Sequence, residues 1–372
     1  MIFYFIPLVF LSLLSTFENL NKFRDIIKSS FFYYLFAIFL VLFIGLRFEI
    51  GCDWDQYVRM FERYSTLTLK EMFVQNFLNN ENYTLQEFGH IFLTTISGNI
   101  YLLNLIYSLI FVFPLLYFAS FTKNKYLTLL ISYPYYTIVV GMGPIRQAAC
   151  ISILMISIIL VARKKFHMHF FLSIISLLIH QFSIIFNFLI ILPSLPNLSN
   201  SKLSKRGIVM AVILICLFIY GAPALWNKLY FYVKLYGFYN YSQNAYVLNP
   251  AKGAFFVWFI IFIPNLIFIK NKLKFNFSKE IKQILIIFSI IELLTLPFVF
   301  VNSVIAYRLL LYLFPTSILI TAQIPNSNII KFREDLVFIS IILSSFFTLF
   351  IWLKFAYHSY CWVPYKNILL MQ

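Results

Sequence analysis

Eleven stretches of this chain are long, apolar and almost free of charge. They lie at about 1–17, 31–46, 89–121, 126–141, 145–162, 168–195, 207–225, 253–269, 281–300, 309–325 and 335–355. No other feature limits the fold as much. Inside a bilayer every backbone polar group must be satisfied within the protein, so only helices and closed barrels span it. Runs near 20 residues fit a helix across about 30 Å of hydrocarbon. The sequence therefore predicts an all-α, polytopic integral membrane protein. Composition agrees, with 62% hydrophobic and only 11% charged residues in 372, against about 25% charged in soluble domains. Residues 1–17 have no basic leader and no small-residue cleavage pattern, and read as a first span. Nothing marks an internal boundary, so 1–372 is expected to be a single membrane domain.

Two runs need dissection. The run 89–121 exceeds one straight span, and Gly98 and Asn99 mark its first part as an interfacial helix. The run 168–195 is read as two short segments meeting near His180 and Gln181, each about 20 Å long and unable to cross alone. This broken pair gives about 11–12 membrane helices with the N-terminus outside.

The split is favoured by charge. The net charge of +16 would suit a nucleic-acid partner, but the bases fall in short clusters between apolar runs, so no nucleic acid is expected. With the split, 18 of the 29 bases lie in short inner loops: Lys22, Arg24, Lys28; Lys123, Lys125; Arg163, Lys164, Lys165; Lys202, Lys205, Arg206; Lys270, Lys272, Lys274, Lys279, Lys282; and Lys331, Arg333. Such a bias marks the cytoplasmic side. His167 and His169 lie beside one inner cluster and read as interfacial.

Two sizeable outer loops result, about 47–88 and 226–252. The first holds seven of the thirteen acidic residues, and the second has six tyrosines. Tyr rings present an apolar face and a hydroxyl, which suits either a saccharide or the membrane interface. Of the four cysteines, Cys150 and Cys216 sit in apolar runs, while Cys52 and Cys361 fall on the same outer side. That leaves a disulfide between the last two open.

The unusual residues gather on that outer side. Arg47 to Tyr57, RFEIGCDWDQY, puts Arg47, Glu49, Asp53, Asp55 and Tyr57 around Gly51. Charges bordering a span mark its end or a site. Arg146 and Gln147 follow Gly141, Gly143 and Pro144 and start a span. An Arg in a first helical turn opposes the dipole unless an anion is near, and a helix N-terminus with Arg seats phosphate well. The alternative is an interfacial Arg reaching for headgroups. Arg308 in IAYRLLLY poses the same choice. His180 interrupts an apolar run where the charge bias asks for a break. Asp53 and Asp55 make a weak metal signal on their own, and no metal or cofactor is expected. There is no Walker loop, dinucleotide fingerprint or zincin motif.

With these residues in place, the chain resembles the EpsG-like family of bacterial exopolysaccharide proteins, relatives of the Wzy-type O-antigen polymerases. The matching pieces are Arg47, Gly51, Asp53 and Tyr57; Glu87 and Phe88; Arg146 to Ala149; His180 and Ser183; and Tyr307, Arg308 and Tyr312. Cys52 and Trp54 depart from the pattern. The resemblance implies a glycosyltransferase that polymerises oligosaccharide repeat units carried on undecaprenyl pyrophosphate, at the outer face of the cytoplasmic membrane. The expected partners are that lipid-linked glycan, membrane lipid and a chain-length regulator.

On this reading a hydroxyl of one repeat unit attacks the anomeric carbon of another, and lipid pyrophosphate leaves. Arg146 and Arg308 are expected to clamp the leaving group, with Arg47 third. Asp53 is the leading base and His180 its competitor. Glu49, Tyr57, Gln147 and Tyr312 complete the expected substrate contacts. Two other readings use similar features: a ligase that moves finished glycan to another acceptor, and a flippase for lipid-linked sugars.

Overall fold

The computed structural model describes residues 1–20, 30–68, 70–71, 88–194, 248–327, 329 and 334–371. Among them the chain is helical, with one isolated antiparallel bridge between Arg47 and Asn367. In order, the helices are α1 (Ile2–Asn19), α2 (Ser30–Gly45), α3 (Trp54–Tyr64), α4 (Phe88–Ser97), α5 (Ile100–Ser120), α6 (Lys125–Ser132), α7 (Ile145–Ala162), α8 (Phe166–Ile179), α9 (Ser183–Ile191), α10 (Leu248–Asn271), α11 (Lys279–Val301), α12 (Ser303–Leu311), α13 (Phe314–Gln323) and α14 (Glu334–Phe355). A π-helical segment, Tyr133–Val140, continues α6.

Among the described residues α1, α5, α7, α10, α11 and α14 are each long and apolar enough to cross a membrane, and α12 with α13 forms a seventh, bent span. α7 is the axis: 83% of its apolar window is buried, against 33% for α1 and for α14. Large side chains such as Ile6 and Leu13 on α1, and Leu343 and Phe347 on α14, are exposed. Apolar faces of this extent belong against lipid rather than water. The expected all-α polytopic class is thus realised. The run 207–225 and residues 226–247 of the second outer loop lie outside the described residues; 248–252 belong to the start of α10. Within the first loop, residues 54–64 form α3, an amphipathic helix that buries Tyr57 and Tyr64.

Both dissected runs divide where expected. Gly98 adopts a left-handed φ of +67° between α4 and α5, and the Asn99 side chain caps α5 by accepting from Leu102 N at 2.8 Å. At His180 the chain doubles back. Phe166, at the start of α8, and Ile191, at the end of α9, belong to one apolar cluster with Leu177 and Ile184. In a continuous helix residues 166 and 191 would lie nearly 40 Å apart at about 1.5 Å per residue. Short helices of this kind are tolerated at membrane depth when packed in protein, and both pack on α7.

Two expectations are corrected. The run 309–325 is not one straight span: its helix starts at Ser303 and bends by 51° between α12 and α13. Pro315 stands near the start of α13 and has no N–H with which to continue a regular ladder. His169 is not interfacial but fully buried, because α9 folds back over the face of α8 that carries it. His167 is exposed, as expected.

The C-terminal tail returns to the first loop. Phe48 N donates to Lys366 O at 3.1 Å, Ile368 N to Leu46 O at 3.0 Å and Gly51 N to Cys361 O at 2.9 Å. Cys52 and Cys361 form a disulfide across 309 residues, with Cα atoms 5.2 Å apart. Tyr365 stacks on Phe43 at 4.3 Å and donates to its carbonyl oxygen. Burial pushes the Tyr365 phenol up to about 12. Trp362 donates to Ile138 O at 3.0 Å, while its own carbonyl accepts from Tyr4 at 2.7 Å. Loop, tail, the start of α1 and the end of the π-helical segment are thereby tied at one end of the bundle.

Candidate active site

The site is built on this tied end. Gly51 has φ +95°, and a Cβ there would stand 2.3 Å from Met142 O. Only glycine fits both the conformation and the approach, so the loop lies directly on the turn before α7. Gly143 in that turn sits under Trp362, whose ring would meet a Cβ at 3.2 Å. α7 then starts at Ile145 with Pro144 as its cap residue, which suits a residue without an N–H. Asp53, the cap residue of α3, and Arg146, in the first turn of α7, thereby both come within electrostatic reach of Tyr57.

Arg308 of α12 completes the group. Its Nη2 lies 3.8 Å from Asp53 Oδ2, with both side chains about 30% exposed. Its Nη1 donates to Gln147 Oε1 at 3.3 Å, and Gln147 Nε2 donates to the Arg308 carbonyl at 2.6 Å. Gln147, 1% exposed, therefore fixes Arg308 from both ends. The Arg146 guanidinium stands 5.7 Å above the centre of the Tyr57 ring. Burial raises the Tyr57 phenol above its ordinary range, and Arg146 and Arg308 oppose that shift. Tyr57 is thus held neutral among charged neighbours. Among the described residues this group holds two arginines and the Asp53 carboxylate, and the N-terminus of α7 adds positive potential. The chemistry suited to such a group is recognition of an anion with several oxygens.

His180 lies at the turn of the α8–α9 hairpin. Its Nδ1 and the Tyr312 hydroxyl are 2.8 Å apart. Tyr312 is fully buried and stacks on Phe186 at 4.5 Å. It stands one turn beyond Arg308 and holds the imidazole through this hydrogen bond.

Two expected substrate contacts are engaged by the protein itself. Arg47 is 1% exposed. It donates through Nη1 to Ile44 O at 2.7 Å, through Nε to Ile50 O at 3.2 Å and through Nη2 to Asn104 Oδ1 at 3.5 Å. Burial pulls its guanidinium down to about 10, so it stays charged at neutral pH and acts as the internal post of the loop. Glu49 pairs with Lys366 Nζ at 2.6 Å, on the surface. Both outcomes follow from the tail, whose pairing partners are more than 300 residues away in sequence. Glu87 lies outside the described residues.

Several contributors had no sequence signal of their own. His90 is buried, 2.9 Å from the Tyr107 hydroxyl through Nδ1, with its ring 6.1 Å from that of Tyr57. Tyr307, already among the residues that carry the family resemblance, accepts from Tyr135 at 3.2 Å. His358, in the tail, is held below the usual histidine range by partial burial, and the charge of Asp53 opposes this. In the tail, Cys361 was marked as the match for Cys52, and Tyr365 and Lys366 as residues of the same outer side. Among the described residues no group of three or more His, Cys, Asp or Glu side chains is set to hold a metal ion.

The sequence model of the EpsG family matches residues 30–367, nearly the whole chain. No curated protein and no solved structure matches it. The chain belongs to the EpsG family.

Proposed function

From this membership of the EpsG family we propose that the protein is a polysaccharide polymerase of the bacterial cytoplasmic membrane. It joins oligosaccharide repeat units carried on undecaprenyl pyrophosphate, at the outer face. The observation that carries the reading is the convergence of Arg146 and Arg308, joined through Gln147, beside Asp53. These residues come from three segments far apart in sequence and meet at one end of a membrane bundle. A lipid pyrophosphate presents its charge at that level.

In the reaction, the oxygen of an acceptor hydroxyl bonds to the anomeric carbon of the donor glycan. The bond from that carbon to the pyrophosphate oxygen breaks, and its electron pair leaves with the lipid pyrophosphate. Charge grows on the leaving group, where a guanidinium gives two parallel hydrogen bonds that an ammonium cannot. Arg146 and Arg308 are assigned this role. Asp53 takes the hydroxyl proton. It stands beside the clamp, so acceptor and leaving group can meet within one group of side chains. His180, set by Tyr312, is the competing base.

The orientation has two independent supports. The described loops around Lys123, Arg163 and Lys270 lie at the basic end, which in membrane proteins is cytoplasmic. Disulfides persist in oxidising compartments, and Cys52–Cys361 closes the end that carries the site.

The test is the surface-glycan ladder of cells lacking the protein, complemented with wild type or Arg146→Ala at equal membrane abundance. A ladder restored by wild type and only single-repeat product with Arg146→Ala is the expected result. The loss should be on the order of 3 kcal/mol or more in transition-state stabilisation. An intact ladder in the deletion strain overturns polymerisation. So does the loss of single-repeat product from the outer face, which assigns transport. Free polymer that fails to reach its acceptor assigns the ligase reaction.

A further inference from the structure

The polar group at the outer end does not involve a second ionisable residue that lies well inside the membrane. Glu292 is the fourteenth of the 23 residues of α11, about 20 Å along its axis from Lys279. It is fully buried. A carboxyl at that depth is costly, and such a residue is a functional candidate by default.

Its surroundings are specific. Asn265 of α10, 1% exposed, donates through Nδ2 to Glu292 Oε2 at 2.6 Å. Trp258 Nε1 and Thr295 Oγ1 both donate to the Glu292 backbone carbonyl, at 3.1 Å and 2.7 Å. Ser289, one turn earlier, is buried and donates to Leu285 O at 2.8 Å. The other two oxygens of the pair, Glu292 Oε1 and Asn265 Oδ1, are buried with no hydrogen-bond partner among the described residues. Both are acceptors, so what is missing is a donor.

Among the described residues no cation supplies it. Burial and Asn265 are what act on the Glu292 carboxyl. From α10 it meets Trp258 and Asn265, and on its own helix Ser289 and Thr295, none of which carries charge. α7, α9 and α12 also pack on α11. Their titratable groups, Arg146, Cys150, Tyr307 and Arg308, are not among those acting on it. An ionised carboxylate so placed has its full desolvation cost and no compensating ion among the described residues.

We propose that Glu292 and Asn265 form an intramembrane proton-binding site. Glu292 is held as the neutral acid, paired with the Asn265 amide. One proton on Oε1 removes the charge and converts the two orphaned acceptors into a donor and an acceptor. The Oε1–H then reaches Asn265 Oδ1 directly, in a two-bond acid–amide pair, or through one water. A sodium ion needs several oxygen ligands, and the pair itself offers two unengaged side-chain oxygens. α12, which carries Arg308, packs against both α10 and α11. The proton therefore fastens together the two helices on which that arginine's helix rests.

The test is infrared spectroscopy of the purified full-length protein in lipid nanodiscs at neutral pH. The expected result is a protonated-carboxyl C=O band that shifts on ¹³C-glutamate labelling and is lost in Glu292→Gln. That variant, an isostere of the neutral acid, should keep the wild-type thermal midpoint. Asn265→Leu should move the same band towards the position of an unbonded acid. The labelled wild-type spectrum decides the protonation state even if a variant fails to fold. Absence of a glutamic acid band in wild type at neutral pH overturns the proposal. A sodium-dependent rise in the midpoint that Glu292→Gln abolishes also overturns it, and assigns a cation site instead.

Discussion

Gln147 and Arg308 hold each other by two hydrogen bonds: the Gln147 amide donates to the Arg308 backbone carbonyl at 2.6 Å, and the Arg308 guanidinium donates to the Gln147 amide oxygen at 3.3 Å. The first fixes where α12 stands against α7, and the second fixes where the guanidinium points. Gln147→Leu keeps much of the volume and removes both. We expect a loss on the order of 2 kcal/mol, roughly 30-fold in polymerisation rate, at unchanged membrane abundance. A rate equal to wild type would mean that Arg308 is positioned by something else.

Arg47 and Arg308 should separate cleanly. Arg47 is buried with all its described contacts inside the protein. Its removal leaves the carbonyls of Ile44 and Ile50 without their donor, at about 1–3 kcal/mol for such a group. Arg47→Ala should therefore lower the amount of folded protein. Arg308→Ala should leave abundance intact and abolish the ladder, and Arg308→Lys should rescue it poorly because bidentate geometry is lost. Immunoblots of membranes beside the glycan gel read both. An Arg47 variant of normal abundance but no activity would return Arg47 to the substrate-binding set.

Gly51 carries the approach of the loop to the turn before α7. Gly51→Ala adds a Cβ 2.3 Å from Met142 O at a φ of +95°, a strain of about 1–3 kcal/mol for the backbone alone. The loop must then lift, taking Asp53 with it. We expect a lower thermal midpoint together with reduced activity. An unchanged midpoint in detergent would show that the loop does not rest on that carbonyl.

The Cys52–Cys361 bond closes a loop of 309 residues. Cys52→Ser, Cys361→Ser and the double variant should lose the same stability, on the order of 2–5 kcal/mol, because each removes the same bond. Thiol labelling of intact cells should find neither cysteine in wild type and the remaining one in each single variant. Labelling by a membrane-impermeant reagent would also place this end outside. Free thiols in wild type would remove the bond and one support for the orientation.

Much of this was legible in the chain. The break at Gly98–Asn99 and the reversal at His180 follow from run length and the sides on which Lys and Arg must lie. The assembly of Asp53, Arg146, Gln147 and Arg308 was foreseeable as residues of one side. Their actual partners were not. Arg47 reads as an exposed loop charge until the tail covers it, and Glu49 reads as a site carboxylate until Lys366 reaches it. His90 lies in an ordinary apolar stretch, and only the packing of α4 brings it near Tyr57. The bend between α12 and α13 was missed because hydropathy is continuous through Tyr312 and Leu313, while helix direction depends on what each half packs against.

The sequence by itself determined the class, the orientation bias and the side on which the unusual residues gather. These follow from local quantities, since the cost of charge in lipid and the reach of a helix are set residue by residue. Tertiary structure alone decided which arginines face one another, which is buried as a post, and that the tail closes over the first loop. Those outcomes depend on contacts between segments separated by 160 to more than 300 positions, where neither periodicity nor local charge carries information. The buried pair of Glu292 and Asn265 is the same case: two polar residues in separate apolar spans, whose meeting at 2.6 Å exists only once α10 and α11 are packed.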